Sequence, residues 1–472
     1  MNPRPSTTVA DLVHGTLVEL AIVCPDRVAI SEDASSLTFS ELHAAVQRRA
    51  EALVAGEAPL IVFAGLDNRV TQRLVDFLGI VNSGRCAAVA DSDWPVGLQR
   101  RLNDALGGPS VKLDHALPES DFYIGFTSGS TGTPKGFMRS HRSWVESFRV
   151  CVQTFGAGAA GRILAPGGIS HSLFLFGMLL GLWSGGGIVV QARFSAARAL
   201  NTLIQGQTPC VVAVPSQLVM MIAFARRRGM PGIDAVKLVM ISGARWMRQR
   251  TPELRALFPK ARIVEFYGAS ETSFVSWTEA DEHVPELVVG RPFEGVEIDI
   301  RHRAPGERAG LIFVRSAMLF SRYAGSGVDG TAALQEEGGW LSVRDMGYLD
   351  DDGRLCLVGR QHRMIVTAGK NLFAEEVEAC LSRFPGVAAA SVHGLFDPVR
   401  GLQVVAWVRP EAGFADENLS APGLAAWCRQ RMEPYKVPRQ FHVSRDWPLT
   451  AGGKTDHLAL AARGSEESRQ GH

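Results

Sequence analysis

The chain has 472 residues, more than one hydrophobic core can serve, so two or three lobes are expected, each large enough to bury a substantial interior. Apolar residues make up 46% and charged residues 21%, an ordinary balance for a soluble globular protein. With 49 basic and 48 acidic residues the net charge is +1, which gives no electrostatic reason to expect nucleic acid or an anionic membrane surface as partner.

The N-terminus, MNPRPSTTVADLVHGTLVEL, carries acids within its apolar part and no small-residue cleavage site, so it does not read as a signal peptide. Cys24, Cys86, Cys151, Cys210, Cys356, Cys380 and Cys428 stand at least 24 positions apart, without zinc-ligand or redox-pair spacing; reduced thiols in a cytoplasmic protein are expected. Over the first 290 or so residues, short β-branched runs (59–64, 209–214, 237–242, 261–265) alternate with amphipathic helical patterns, as in parallel α/β sheets. Thr38-Phe-Ser-Glu-Leu42 carries a helix start signal.

The stretch Thr127 to Gly136, TSGSTGTPKG, holds three glycines, five hydroxyl side chains and one lysine, and follows a plausible strand, Phe122 to Phe126. Glycines let backbone N–H groups converge on a ligand, hydroxyls add donors, and Lys135 adds charge, a combination suited to a polyphosphate. It differs from GxxxxGK[ST], because proline precedes the lysine and glycine follows it. A flexible surface turn is the bland alternative.

Leu173 to Val190 runs 18 residues without a charge, yet three consecutive glycines interrupt it, so a buried helix, a glycine turn and a buried strand are expected rather than a membrane span. Arg226-Arg227-Arg228 reads as a solvated helix end. Ser242-Gly-Ala-Arg245 is by itself equally a tight turn after a strand. Glu271, in EFYGASETS, follows a strand, where a carboxylate is either solvated or able to hold a hard cation. From 290 to 359 period-two alternation and turn signals predict an antiparallel meander or small barrel. After residue 360 a compact α+β tail is expected, with a strand near Met364, a helix presenting Val377, Leu381 and Phe384, and strands near Ser391 and 404–408. The terminal ARGSEESRQGH reads as disordered.

YIGFTSGSTGTPKGFMRSH resembles the phosphate-loop signature of the adenylate-forming superfamily, which comprises acyl-CoA ligases, nonribosomal adenylation domains and luciferases. The match runs in order along nearly the whole chain. On IGFTSGSTGTPK, APGGISHSL and EFYGASETSF it is most similar to short bacterial fatty acid–CoA ligase-like members.

The resemblance implies an N-terminal adenylation domain over 1–359, whose barrel portion covers about 290–359. A small mobile lid domain over 360–472 would follow, hinged near His362, where the family usually has aspartate or lysine. It implies ATP binding by Thr127, Ser128, Gly129, Ser130, Thr131, Gly132 and Lys135. Gly243 and Ala244 would lie beside adenine, Tyr267 would stack near it with Gly268, and Ser270, where threonine is usual, would approach the α-phosphate. Glu271 would hold Mg²⁺, Asp345 the ribose, and Arg360 the ribose or phosphate, while Lys454, in PLTAGGKTD, would be the mobile catalytic lysine. Thr127, Lys135 and Glu271 would share in catalysis. His171, Gly243 and Gly268 would face the acid; a satisfied core histidine is the alternative for His171. Gly369 and Lys370 would lie on the CoA side.

The implied activity is an AMP-forming, magnesium-dependent acyl-CoA synthetase acting on a fatty or other apolar acid, with ATP and CoA as partners. The alternative is an enzyme loading an acyl or aryl acid onto a carrier-protein phosphopantetheine. An α-amino acid is disfavoured, because Ser170-His171-Ser172 offers no carboxylate for a buried ammonium.

Overall fold

The β-branched runs form a parallel sheet. In the computed structural model, which describes residues 9–67, 69–113, 116–127, 134–303, 306–325, 333–336, 338–367, 370–397, 401–449 and 455–470, six parallel strands lie side by side. Their order is Val28–Glu32, Ile188–Val190, Ile163–Ala165, Cys210–Ala213, Leu238–Ile241 and Arg262–Ala269. Antiparallel strands Ser35–Thr38 and Ser273–Glu279 flank them. Strands buried on both faces need continuous apolar runs, and Cys210–Ala213 and Leu238–Ile241 are buried at every position. A second sheet joins Ile61–Phe63, Cys86–Ala88 and Asp121–Thr127 in parallel, then adds Lys135–Ser140 and Arg322–Ala324 antiparallel.

Helix signals are read locally. Helix Phe39–Ala55 starts at Thr38, whose hydroxyl accepts from the Glu41 amide while the Glu41 carboxylate accepts from the Thr38 amide. Helix Pro215–Arg228 ends in the three arginines, exposed beside the negative end of its dipole and followed by Gly229 at φ +58°. The uncharged run 173–190 divides as expected into helix Ser172–Trp183, a turn with Gly185 and Gly187 at positive φ, and strand Ile188–Val190. Among the described residues no helix is long and apolar enough to cross a membrane. None of the seven cysteines forms a disulfide.

The chain divides into two compact units. The first comprises Met1–Pro285, Val289–Ile298 and Val314–Val343; the second comprises Glu286–Val288, Asp299–Phe313 and Arg344–His472. Antiparallel strands occupy 288–360 as the alternation predicts, and Asp299–Phe313 joins the second unit because Gly310 and Leu311 pair with Gly347 and Met346. The second unit also contains hairpin Met364–Thr367 with Lys370–Phe373, helix Ala374–Leu381, and a sheet of Val387–Asp397, Gly401–Pro410 and Gln440–Val443. One expectation is corrected. The terminal stretch read as disordered continues helix His457–Gln470, anchored by Asp456, which accepts from the Ala459 amide, and by buried Leu460 against Trp407 and Trp447.

Two histidines are expected to make the first unit acid-sensitive. His141 is buried, accepts from the Val13 amide at Nδ1, and meets His14 edge-on at 5.5 Å. Burial lowers His14 to about 4 and His141 well below the usual imidazole value. Both folded-state values lie below the unfolded value of about 6.5, so the unfolded chain takes up protons first as pH falls. Stability contributed by neutral His14 is complete above about pH 6.5 and is lost as pH falls towards 4, by about 3 kcal/mol. Denaturant midpoints between pH 7 and 4 check this; His14→Gln should flatten the decline.

Candidate active site

The strands on either side of the glycine- and hydroxyl-rich stretch are paired. Asp121–Thr127 and Lys135–Ser140 pair antiparallel up to Thr127 opposite Lys135, with Phe122, Tyr123, Ile124 and Phe137 buried beneath. Ser128, Gly129, Ser130, Thr131 and Gly132 lie outside the described residues. Lys135 is half-buried at the base.

Glu271 sits in the turn between Arg262–Ala269 and Ser273–Glu279, where the pairing shifts register between Tyr267 and Gly268. A Cβ on Gly268 would stand 1.8 Å from the Ser273 carbonyl oxygen, so only glycine fits, and Ser273 itself adopts φ +57°. The Thr272 hydroxyl accepts from the Ala269 amide at 2.9 Å. Arg139, 2% exposed, donates to the carbonyls of Ser270 and Met318, each at 2.8 Å. Burial lowers its pKa to about 9, opposed by the charge of Glu271, so it is a cation at neutral pH. The Phe320 amide donates to the Glu271 carbonyl at 2.8 Å.

Tyr323 completes the arrangement. It pairs in register with Phe137 on the hairpin strand, and its Oη donates to Glu271 Oε1 at 2.9 Å. One hydroxyl thereby orients the carboxylate relative to the phosphate-loop hairpin. Tyr267 and Ser270 are half-buried on the same strand and turn.

The loop 242–245 is braced from below. Gly243 has φ +84°, and Ser242 Oγ donates to the Phe266 carbonyl at 2.9 Å. Glu265 accepts from the Trp246 amide at 3.1 Å and from Arg248 at 2.7 Å, a buried ion pair. Burial raises the Glu265 pKa, while Arg248 pulls it down. Glu265 thereby anchors Trp246 and Arg248, which follow the loop.

His171 is the N-cap residue of helix Ser172–Trp183 and packs against Phe174 at 5.0 Å. A Cβ on Gly243 would stand 4.0 Å from His171 Cε1, so the structure brings these two predicted positions together. The fold also supplies a carboxylate that the local sequence lacks: Ser170 Oγ donates to Asp91 Oδ2 at 3.3 Å. Asp91 already acts electrostatically on Arg73.

In the second unit, Asp345 and Arg360 are direct partners across two paired strands, with Arg360 Nε 3.2 Å from Asp345 Oδ1. The carboxylate is buried and the guanidinium exposed. His362 lies in the following turn, Gln361–Arg363. Partial burial, then the charge of Arg360, keeps its pKa below the ordinary value, so the imidazole is neutral at pH 7. Lys370 pairs with Thr367 and sets its ammonium 4.8 Å from the Tyr435 ring centre. Gly369 and Lys454 lie outside the described residues. On either side of 450–454, Leu449 and Thr455 form an antiparallel bridge, and Trp447 Nε1 donates to Thr455 Oγ1 at 3.0 Å. Arg363 joins Glu375 at 3.1 Å, Glu378 at 2.5 Å and His457 at 3.2 Å, which ties the 361–363 turn to the helix that follows Lys454.

A family model for AMP-binding enzymes matches residues 98–324, and one for the AMP-binding enzyme C-terminal domain matches 376–454. An uncharacterized acyl-CoA ligase of Bacillus subtilis, YhfT, is 37% identical over 377 residues, covering 78% of this chain and 74% of its own. The chain belongs to the adenylate-forming enzymes.

Within that family it is an AMP-forming enzyme of the acyl-CoA ligase type. A Staphylococcus epidermidis relative provisionally named long chain fatty acid-CoA ligase, VraA, is 27% identical, over 79% of this chain and 82% of its own. The o-succinylbenzoate-CoA synthetase of B. subtilis, solved with its acyl-adenylate intermediate, superposes with a TM-score of 0.80 at 21% identity, covering 94% of this chain and 97% of that one. That likeness establishes the shared fold. The same synthetase has also been solved with AMP and with ATP and magnesium.

For an adenylate-forming enzyme, sequence reasoning missed two structural residues of the site, Arg139 and Tyr323. Arg139 gave only a faint signal, a charge directly after Phe137-Met138 in the strand Lys135–Ser140. Tyr323 gave none, because its role depends on pairing with a strand almost two hundred positions earlier.

Proposed function

We propose that this enzyme activates an apolar carboxylic acid lacking an α-amino group, and passes the acyl group to the thiol of CoA. The observation that carries the reading is the Glu271 carboxylate, which accepts from Tyr323 Oη on a turn that Arg139 braces through the Ser270 carbonyl and that follows a glycine-only bulge, beside the paired strands Asp121–Thr127 and Lys135–Ser140.

In the first half-reaction a carboxylate oxygen attacks the α-phosphorus of ATP, the α–β bridging bond breaks, and pyrophosphate leaves. In the second, a thiol attacks the acyl carbonyl, its proton is lost, and AMP departs with the attacking oxygen. The hairpin loop and Lys135 would cradle the phosphates, with Ser270 near the α-phosphate. Lys454 would stabilise charge on the reacting phosphorus. Asp345 and Arg360 would hold the ribose, their mutual ion pair giving way to ligand hydroxyls, and Gly369 and Lys370 would flank the thiol's arm.

Among the described residues no group of three His, Cys, Asp or Glu side chains could hold a metal ion. Glu271, a single hard carboxylate, would suit a Mg²⁺ that draws its other ligands from phosphate and water. When bound, Mg²⁺ would neutralise charge on the triphosphate.

ATP–pyrophosphate exchange over fatty, aryl and amino acids tests the reading: exchange is expected with acids lacking an amino group. Exchange confined to amino acids would refute it and would turn attention to Asp91. Acyl transfer to CoA is expected; transfer only to a phosphopantetheinyl carrier protein would favour the loading enzyme.

A further inference from the structure

The acid side of the first unit is closed by aromatic rings. The family resemblance puts the acid beside His171, Gly243 and Gly268; the structure brings His171 next to Gly243, and Gly268 pairs across the strands with Phe274. The Phe274 ring, 3% exposed, meets Phe176 edge-on at 4.9 Å and stacks on Phe293 at 4.9 Å. Phe176, one turn into the helix that His171 caps, packs in turn on Phe148 at 5.4 Å.

The second way inward, between that helix and the parallel sheet, is closed by contact of backbone with strand. A Cβ on Gly177 would stand 3.1 Å from Val212 Cγ2, and one on Gly181 would stand 2.6 Å from Ile188 Cγ2. Glycines at these two positions let the helix lie flush on the sheet. A tail passing there would have to separate the two. Interiors packed to crystal density accommodate added methylenes poorly.

We infer that Phe176 and Phe274 form the floor of the acyl site and restrict this enzyme to acids with a short or compact apolar body. The inference rests on the carboxylate-activating reading and narrows it. Long unbranched chains meet the two rings before the carboxylate reaches the reacting position. Phe274 sets the limit from the strand Ser273–Glu279 and Phe176 sets it from the helix.

The test is ATP–pyrophosphate exchange with linear acids from propanoate to hexadecanoate, together with benzoate and phenylacetate. Wild-type kcat/KM for hexadecanoate should lie at least about a hundredfold below that for the best short or aryl acid, since single methylenes in a filled pocket already discriminate by tenfold or more. Phe274→Ala and Phe176→Ala should move the optimum to longer acids and leave the KM for ATP within about threefold. Phe274→Leu and Phe176→Leu should give the same shift to a smaller extent where the alanine variants fail to fold. Hexadecanoate turned over as well as butanoate, or an unchanged length profile in folded variants, would overturn the inference while leaving carboxylate activation standing. Absence of exchange with every acid would instead remove the underlying reading and this inference with it.

Discussion

Glu271→Gln is expected to reduce acid-dependent pyrophosphate exchange by about 10²- to 10³-fold, the scale of losing one preorganised electrostatic partner. Glutamine preserves the shape and can still accept from Tyr323 Oη, so the turn should keep its structure. What disappears is the negative charge that would hold Mg²⁺ beside the phosphates. Tyr323→Phe makes the complementary change: the charge stays, and the donor that orients it goes. A hydrogen bond to a charged group is worth about 1.5–3 kcal/mol, so a loss of at least about tenfold is expected. Raising Mg²⁺ should restore part of the Tyr323→Phe activity and none of the Glu271→Gln activity at the same concentrations. Wild-type exchange in Glu271→Gln would remove Glu271 from the mechanism.

Lys454→Ala should separate the two half-reactions. A cation on the reacting phosphorus stabilises charge that develops in the adenylation transition state, so exchange should fall by about 10³-fold or more. Thiolysis of supplied acyl-AMP needs no such cation and should stay within a few-fold of wild type. On either side of the segment, Leu449 and Thr455 form an antiparallel bridge and Trp447 Nε1 donates to Thr455 Oγ1. Stopped-flow measurement of the two steps on one preparation checks this. Equal loss in both would contradict a role confined to the first step.

Much of this was legible in the sequence because the governing interactions are local. Parallel strands such as Leu238–Ile241 announce themselves by apolar runs, since both faces are buried. The helix–turn–strand reading of 173–190 followed from three glycines, two of which take positive φ. Glu271 was visible as a carboxylate following a strand, and Asp345 through the family resemblance. What was not legible depends on tertiary pairing. Tyr323 reaches Glu271 only because Arg322–Ala324 pairs with the hairpin strand. Asp91 meets Ser170 only because the fold carries the two segments together, so the local absence of a carboxylate was weaker evidence than it looked. The C-terminal helix was missed because its polar composition suggested disorder, while a single buried leucine and an Asp456 cap hold its first turn. The clamp of Arg363 on Glu375, Glu378 and His457 joins residues up to 94 positions apart, and no local pattern marks it.

The central claim, attack of a carboxylate oxygen on the α-phosphorus, is tested most directly by isotope transfer. A substrate acid labelled with ¹⁸O in its carboxylate is incubated with the enzyme, ATP, Mg²⁺ and CoA, and the products are separated and weighed by mass spectrometry. One ¹⁸O should appear in AMP and none in pyrophosphate, since the attacking oxygen leaves with AMP when the thiol displaces it. Formation of ADP, with ¹⁸O in inorganic phosphate, would place the attack on the γ-phosphorus and contradict the account.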